Sequence, residues 1–387
     1  MKAEPYIVGG RLIPGAYAQL KITLIHPEML RNDTRKKIFI VGGSAAFGFP
    51  YLYSYSFGHL LQKQLGPDQY LVINAAQISF PSGRLVPVVQ RIVDYYEPDI
   101  LIIQTGNNEW TNWRPDDSPW YLVKTIQLFR TLSQSRLLSW ILLEAFKHKS
   151  ARDKQSQELR NKFVIQKEIE GYAYALANPY HQFFNGDAGH LLSSKTAFIN
   201  TFKDNLTQMI NAAQKKNVRV ILMNVPFNYK LSPAFMHPQP ICFNPSNQKA
   251  VDRNLNEIVT LIEKRDYANA VRLVDQTLTL EPYPAILHYL KGYALEKMGN
   301  ALAAEESYAL SRENMVGHLG TRLSINKAIE EVAQKTGVTF VDVKKLFDAE
   351  QHTQGGFFNE DLIRDDCHPS PAGHRLIAES LYELIDK

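Results

Sequence analysis

Asp365 and His368 stand three residues apart in the run Asp365-Asp366-Cys367-His368-Pro369-Ser370-Pro371-Ala372-Gly373-His374. At that spacing a carboxylate can accept a hydrogen bond from one imidazole nitrogen. That contact fixes the tautomer and leaves the other nitrogen as a base. Such a base needs a nucleophile, and the candidate lies at the other end of the chain. Ser44 follows the apolar run Ile38-Phe39-Ile40-Val41 and the pair Gly42-Gly43. The run has the pattern of a strand buried on both faces of a parallel sheet, and the glycines break it where a turn and helix begin. A hydroxyl there sits at the carboxyl edge of the sheet, where open α/β folds bind their ligands. Serine, histidine and aspartate together would support covalent acyl transfer.

Blander readings exist for each residue. Residues 42–48 could be a Gly-rich strand-to-helix turn with an incidental serine. A dinucleotide-binding turn fits less well. The Gly-x-Gly-x-x-Gly spacing is missing, and the next apolar run ends in Asn74 rather than a ribose-binding acid. An α/β-hydrolase elbow wants Gly-x-Ser-x-Gly, whereas position 46 is Ala. It also carries its acid and histidine on separate loops.

The elements that must hold these residues follow from periodicity. A strand over 38–42 leads to a helix over 57–65, with Phe57, Leu60, Leu61 and Leu65 at helical spacing. A second strand spans 70–75, a helix 83–96 and a third strand 100–103, which runs into Gly106-Asn107-Asn108-Glu109. A helix over 196–215, a strand over 218–224, a helix over 322–336 and a strand over 338–343 continue the alternation. Ser370 suits an N-cap and Pro371 a first helical position, so a last helix runs over about 371–385. This order predicts a three-layer αβα sandwich around a five-stranded parallel sheet with right-handed crossovers.

Other stretches interrupt that order. Residues 1–35 read as a β-rich arm, and 111–195 as a helical insertion whose most apolar part is 137–143. It is either a lid over an acyl cleft or an extra packing pair. Residues 230–247, with four prolines, read as an irregular loop. The stretches starting at Arg265 and Gly299 answer each other 34 residues apart, the tetratricopeptide period. Residues 251–318 therefore read as a helical repeat pair inserted between the two parts of the main α/β domain, 36–250 and 319–387. Two repeats are too few to stand alone, so the pair must lean on the main domain. It would shape the rim of a cleft or offer a groove to a protein partner.

Composition bounds the rest. The 387 residues are 45% apolar and 21% charged, as in an ordinary globular protein. A net charge of +4, from 43 basic and 39 acidic residues, comes without a basic stripe, so nucleic acid is not expected as a partner. No apolar run reaches the length of a transmembrane helix. Cys242 and Cys367 form neither a disulfide framework nor a metal motif, and could pair once. Residues 1–10 do not read as a signal peptide. That leaves a cytoplasmic location, or an extracytoplasmic one (periplasmic or secreted) if a signal or anchor has been trimmed.

At this point the sequence resembles the SGNH (GDSL-type) esterases and lipases over most of 36–250 and 319–387. The family's Gly-Asp-Ser block appears as Gly42-Gly43-Ser44, its Gly-x-Asn-Asp block as Gly106-Asn107-Asn108-Glu109, and its Asp-x-x-His block as Asp365 to His368. The resemblance implies a flavodoxin-like sheet, Ser44 as nucleophile, His368 as base and then acid, and Asp365 as its orienting partner. It implies an oxyanion hole from the backbone N–H of Ser44, the Asn108 amide and a block-two N–H, which alignment places at Ser79. Gly43 and Glu109 depart from the family's Asp at both positions, and Ser79 from its Gly. No metal or organic cofactor is implied. The expected activity is hydrolysis of a carboxylic ester, such as an O-acetyl group on a glycan. Transfer of the acyl group to a sugar hydroxyl is a rival, as is a non-catalytic scaffold built on the helical repeats.

Overall fold

A computed structural model describes residues 27–30, 32–51, 53–78, 80–109, 188–228, 230, 242–315, 322–353, 361–363, 365 and 367–386. Most of the arm expected over 1–35, most of the insertion over 111–195 and the proline-rich stretch 231–241 lie outside these residues. Five strands are described: β1 (Lys36–Gly42), β2 (Tyr70–Asn74), β3 (Ile100–Gln104), β4 (Arg219–Met223) and β5 (Thr339–Val341). The described helices, in chain order, are α1 (Ser44–Phe47), α2 (Phe57–Leu65), α3 (Ser82–Tyr95), α4 (Ala188–Gln214), α5 (Gln248–Glu263), α6 (Tyr267–Leu280), α7 (Ala285–Lys297), α8 (Ala301–Asn314), α9 (Leu323–Thr336), α10 (Val343–Thr353) and α11 (Pro371–Ile385).

All strand pairs are parallel, in the order β2-β1-β3-β4-β5. This is the flavodoxin-like order, in which the chain reverses its direction of travel between β1 and β3. Period-2 alternation sorts the apolar side chains of the strands onto two faces. Phe39, Val41, Leu101, Ile103, Val220 and Leu222 meet α3, α4 and α9. Ile38, Ile40, Ile100, Ile102, Ile221 and Met223 meet α2, α10 and α11. The expected three-layer α/β sandwich is therefore present. Each fully buried Ile or Leu contributes about 1.5–3 kcal/mol of transfer free energy, which is why the strands read as unbroken apolar runs.

Two boundaries and one element depart furthest from expectation. Helix α4 begins at Ala188 rather than 196, inside the range taken as an insertion. Strand β5 stops at Val341, because Asp342 opens α10 instead of extending the strand. Its carboxylate accepts from Lys345 N at 2.9 Å, and its carbonyl from Leu346 N at 3.1 Å. Helix α10 itself was not anticipated.

Helices α5 to α8 pack in sequence around a separate core that includes Leu255, Val274, Leu287 and Tyr308. The residues just before α6 and α8, Asp266 and Asn300, cap them through Asn269 N and Ala303 N. Before each cap stands a left-handed residue, Arg265 at φ 61° and Gly299 at φ 80°. The same turn thus recurs 34 residues apart. The unit leans on the sandwich through Phe227, beyond β4, which joins its core, and through the Lys230–Glu296 ion pair at 2.7 Å.

Candidate active site

The turn after β1 is shaped by close approach. A Cβ on Gly42 would lie 2.1 Å from the Gln104 carbonyl oxygen, so only glycine lets β1 and β3 pair there. Gly43 has φ −88°, which any residue can adopt, so its need is for space alone. A Cβ there would lie 2.5 Å from the Asn108 Nδ2 atom. Ser44 then opens the single turn of α1 and is 6% exposed. Gly48, at φ 102°, ends that turn with its N–H on the Ser44 carbonyl. From the end of β2, Asn74 Nδ2 donates to the Ala46 carbonyl at 2.9 Å and holds the turn in place.

The histidine arrives on a loop closed at its base. Ile363 and Pro369 form an antiparallel bridge, and Ser370 N donates to the Leu362 carbonyl at 2.8 Å. Ser370 caps α11 as its sequence position suggested, accepting from Ala372 N and Gly373 N. Gly373 is there for space, since a Cβ would meet the Leu362 carbonyl at 2.5 Å. Inside the loop Asp365 does two jobs with one carboxylate. Its Oδ1 accepts from Cys367 N at 3.0 Å and His368 N at 2.9 Å, which folds the turn, and its Oδ2 lies 2.7 Å from His368 Nδ1. The three-residue spacing is what lets turn formation and imidazole orientation share a side chain.

His368 Nε2 lies 2.8 Å from Ser44 Oγ, across 324 residues of sequence. With Nδ1–H donating to Asp365, Nε2 carries the lone pair and accepts from the serine hydroxyl. Burial works to raise the Asp365 carboxyl, but the hydrogen bonds and positive charge offered by His368, with the Cys367 N–H, outweigh it and hold it below its ordinary value. Its side chain keeps 46% exposure, so solvent screening moderates the effect. The Phe49 ring meets the imidazole edge-on with centroids 5.1 Å apart.

His374, the other histidine of the motif, is not part of this chain of contacts. It is wholly buried, and its Nδ1 accepts from Phe57 N at 3.3 Å, tying α11 to α2. Burial, helped by His368, pushes its pKa down to about 3, so it stays neutral.

The loop after β3 brings Asn108, 7% exposed, beside the nucleophile turn. Its Nδ2 donates to the Phe80 carbonyl at 3.2 Å and stands against Gly43. Ser79, the third expected oxyanion donor, lies outside the described residues. Gly106 bends the loop at φ 140°, where a Cβ would strike Ile325 of α9 at 2.8 Å.

Sequence reading missed the environment of Glu109. Its Oε1 accepts from Ser82 N and its Oε2 from Ser82 Oγ, each at 2.8 Å. Burial dominates those contacts and raises its pKa to about 7. A carboxyl that stays protonated longer when folded adds stability below about pH 4.5, and that stability is lost as pH rises through 7. We expect wild type, relative to Glu109→Gln, to lose up to about 3 kcal/mol between pH 4.5 and 7. The residue is only partly buried, which makes that figure an upper bound. Urea unfolding of both proteins at several pH values checks it. The difference between the two curves removes the opposing titration of His374.

Asp365, Cys367 and His368 also offer ligand atoms within 4.8 Å of one another. A metal ion on His368 Nδ1 would have to replace the hydrogen bond to Asp365, so ligation and orientation of the base exclude each other. Among the described residues, no helix is long and apolar enough to cross a membrane.

No protein-family model matches the chain, and no curated protein matches it in sequence. Solved structures do. The psychrotrophic esterase EstA from Pseudoalteromonas sp., in a structure inhibited by monoethylphosphonate, is 12% identical, with 91% of this chain and 97% of that one covered and a TM-score of 0.37. A GDSL-like lipase from Bacteroides thetaiotaomicron VPI-5482 is 10% identical over 91% and 88% of the two chains, at a TM-score of 0.36. The acetyl xylan esterase AlAXEase is 13% identical over 90% and 99%, also at 0.36. The solved structures to which this chain is similar thus include a GDSL-like lipase and two esterases.

Proposed function

We propose that this protein is a serine esterase of the SGNH type, acting on a carboxylic ester through an acyl-enzyme. The observation that carries the reading is the continuous hydrogen-bond chain Ser44–His368–Asp365, built from the two ends of the sequence. In the first half-reaction His368 Nε2 takes the Ser44 hydroxyl proton as Oγ bonds to the substrate carbonyl carbon. Negative charge then develops on the carbonyl oxygen, which the Ser44 N–H and the Asn108 amide would receive. The tetrahedral adduct expels the alcohol, which takes the proton from Nε2. Water, deprotonated by the same nitrogen, attacks the acyl-serine, and the acid leaves with Ser44 restored.

A small acyl group on a glycan is the substrate class we favour. Phe49 packs on the catalytic imidazole, and Tyr55, 47% exposed, stands in the same connection between α1 and α2. An exposed aromatic ring in that connection suits stacking on a sugar ring. The test is hydrolysis of p-nitrophenyl esters from acetyl to octanoyl, followed by release of acetate from acetylated xylan. Activity falling as the chain lengthens, together with acetate release, is the expected result. Activity rising toward octanoyl would move the substrate to longer acyl esters. No hydrolysis of any ester by folded protein would overturn the esterase reading.

A further inference from the structure

Helix α3 begins with a cap position that cannot cap. Pro81 has no side-chain acceptor, so the first N–H groups of the helix need a partner from elsewhere. Glu109 supplies it from the loop after β3, with Ser82 N on Oε1 and Ser82 Oγ on Oε2, both at 2.8 Å. Thr105 Oγ1 reaches the same Oε1 at 3.5 Å, and Asn205 Nδ2 of α4 donates to Ser82 Oγ at 3.0 Å. A partly exposed residue thus has its carboxylate met by donors from α3 and from its own loop, with α4 holding Ser82 from behind.

One residue before Glu109 is Asn108, and two residues before Ser82 is Phe80. Their contact, Asn108 Nδ2 to the Phe80 carbonyl, runs beside the Glu109–Ser82 pair. The two loops are therefore joined by adjacent contacts of opposite sense. One carries the amide expected to face the oxyanion, and the other anchors the loop that carries it. An Asn amide has two N–H groups. With one spent on Phe80, the direction of the other depends on how the 80–82 segment sits against residues 105–109.

We propose that Glu109 is a positioning residue for the oxyanion hole, which caps α3 across the gap and so fixes the direction of the Asn108 amide. This role rests on the esterase reading above. It acts through Asn108 and touches no substrate atom. In Glu109→Gln one oxygen still accepts from Ser82 N, but an NH₂ group meets Ser82 Oγ, whose hydrogen must turn away. The charge-assisted contact becomes a neutral one of reversed direction, and the Asn108 loop is held less firmly.

A double-mutant cycle tests this, using p-nitrophenyl acetate and kcat normalised to titrated active sites. Glu109→Gln is expected to lower kcat about tenfold with KM within about twofold, because oxyanion contacts strengthen mainly in the transition state. In an Asn108→Ala background the same change should cost less than about threefold, since the group it positions is gone. A merely structural role would not produce that dependence. Ser82→Ala, which keeps the backbone contact, should show a smaller loss with the same dependence, and serves if Glu109→Gln does not fold. Wild-type kcat in both single variants, or losses that multiply fully in the double variant, would overturn the role. Wild type inactive on every ester would overturn the esterase reading first, and is seen before any variant is compared.

Discussion

Ser44→Ala should reduce kcat/KM for ester hydrolysis on the order of 10⁴-fold or more, and His368→Ala by a similar factor. Both losses come from one event, transfer of the serine proton to Nε2 across 2.8 Å, and neither residue can act without the other. Their effects should therefore not multiply, with the double variant close to either single one. Asp365→Asn is informative in another way. An amide at that position can donate to Nδ1, which favours the tautomer with the proton on Nε2 and removes the base from the serine. The same change weakens the turn, because Asp365 Oδ1 also holds the Cys367 and His368 N–H groups. Active-site titration with a phosphonate, read by intact mass, separates the two effects. Ser44→Ala must show no adduct, whereas folded Asp365→Asn should form one slowly. Undiminished hydrolysis by Ser44→Ala would dismiss the proposed nucleophile.

The second large effect concerns Gly43. Introducing the Asp that the GDSL-type pattern has at this place, Gly43→Asp, should lower kcat about 10²-fold, the size of a lost oxyanion donor. Backbone conformation is not the obstacle, since Gly43 is extended. The obstacle is the Asn108 amide nitrogen, 2.5 Å from where a Cβ would stand. Any side chain there must push that nitrogen away from the nucleophile turn, and an aspartate adds negative charge beside a developing oxyanion. Asn108→Ala should show a loss of comparable size, about 10²–10³-fold in kcat, with KM little changed. Steady-state kinetics of the two variants and their combination decides the matter. Gly43→Asp at or above wild-type kcat would mean that the loop after β3 yields and that Asn108 is not confined by position 43.

Much of this was legible in one dimension. Unbroken apolar runs such as Ile38–Val41 marked strands buried on both faces, because a parallel sheet covered by helices leaves no polar side. The order of elements then implied the α/β sandwich, and Ser370-Pro371 announced the last helix through local capping chemistry that needs no distant partner. The Asp365–His368 relation was readable for the same reason, since a turn of four residues makes its own contacts. Even the recurrence of the left-handed turns at Arg265 and Gly299 was visible as a 34-residue echo.

What depends on residues far apart in sequence was decided only by folding. Nothing in the run from Gly42 to Gly48 says that Ser44 meets an imidazole 324 residues away. That meeting follows from α11 packing on α2 beside β1. Glycines 42 and 43 looked alike as breakers, yet one makes room for the Gln104 carbonyl and the other for the Asn108 amide. In sequence Glu109 was only a departure from the family's Asp. Its longer reach lets it cap a helix that begins 27 residues earlier, and its raised pKa comes from burial, which the Ser82 contacts oppose. Local hydrogen bonding and apolar period are properties of neighbouring residues, so the sequence alone determined most of the elements, α10 excepted, and the acid–histidine turn. Burial and close approach are properties of the packed whole, so the tertiary structure alone decided which of those residues share a site.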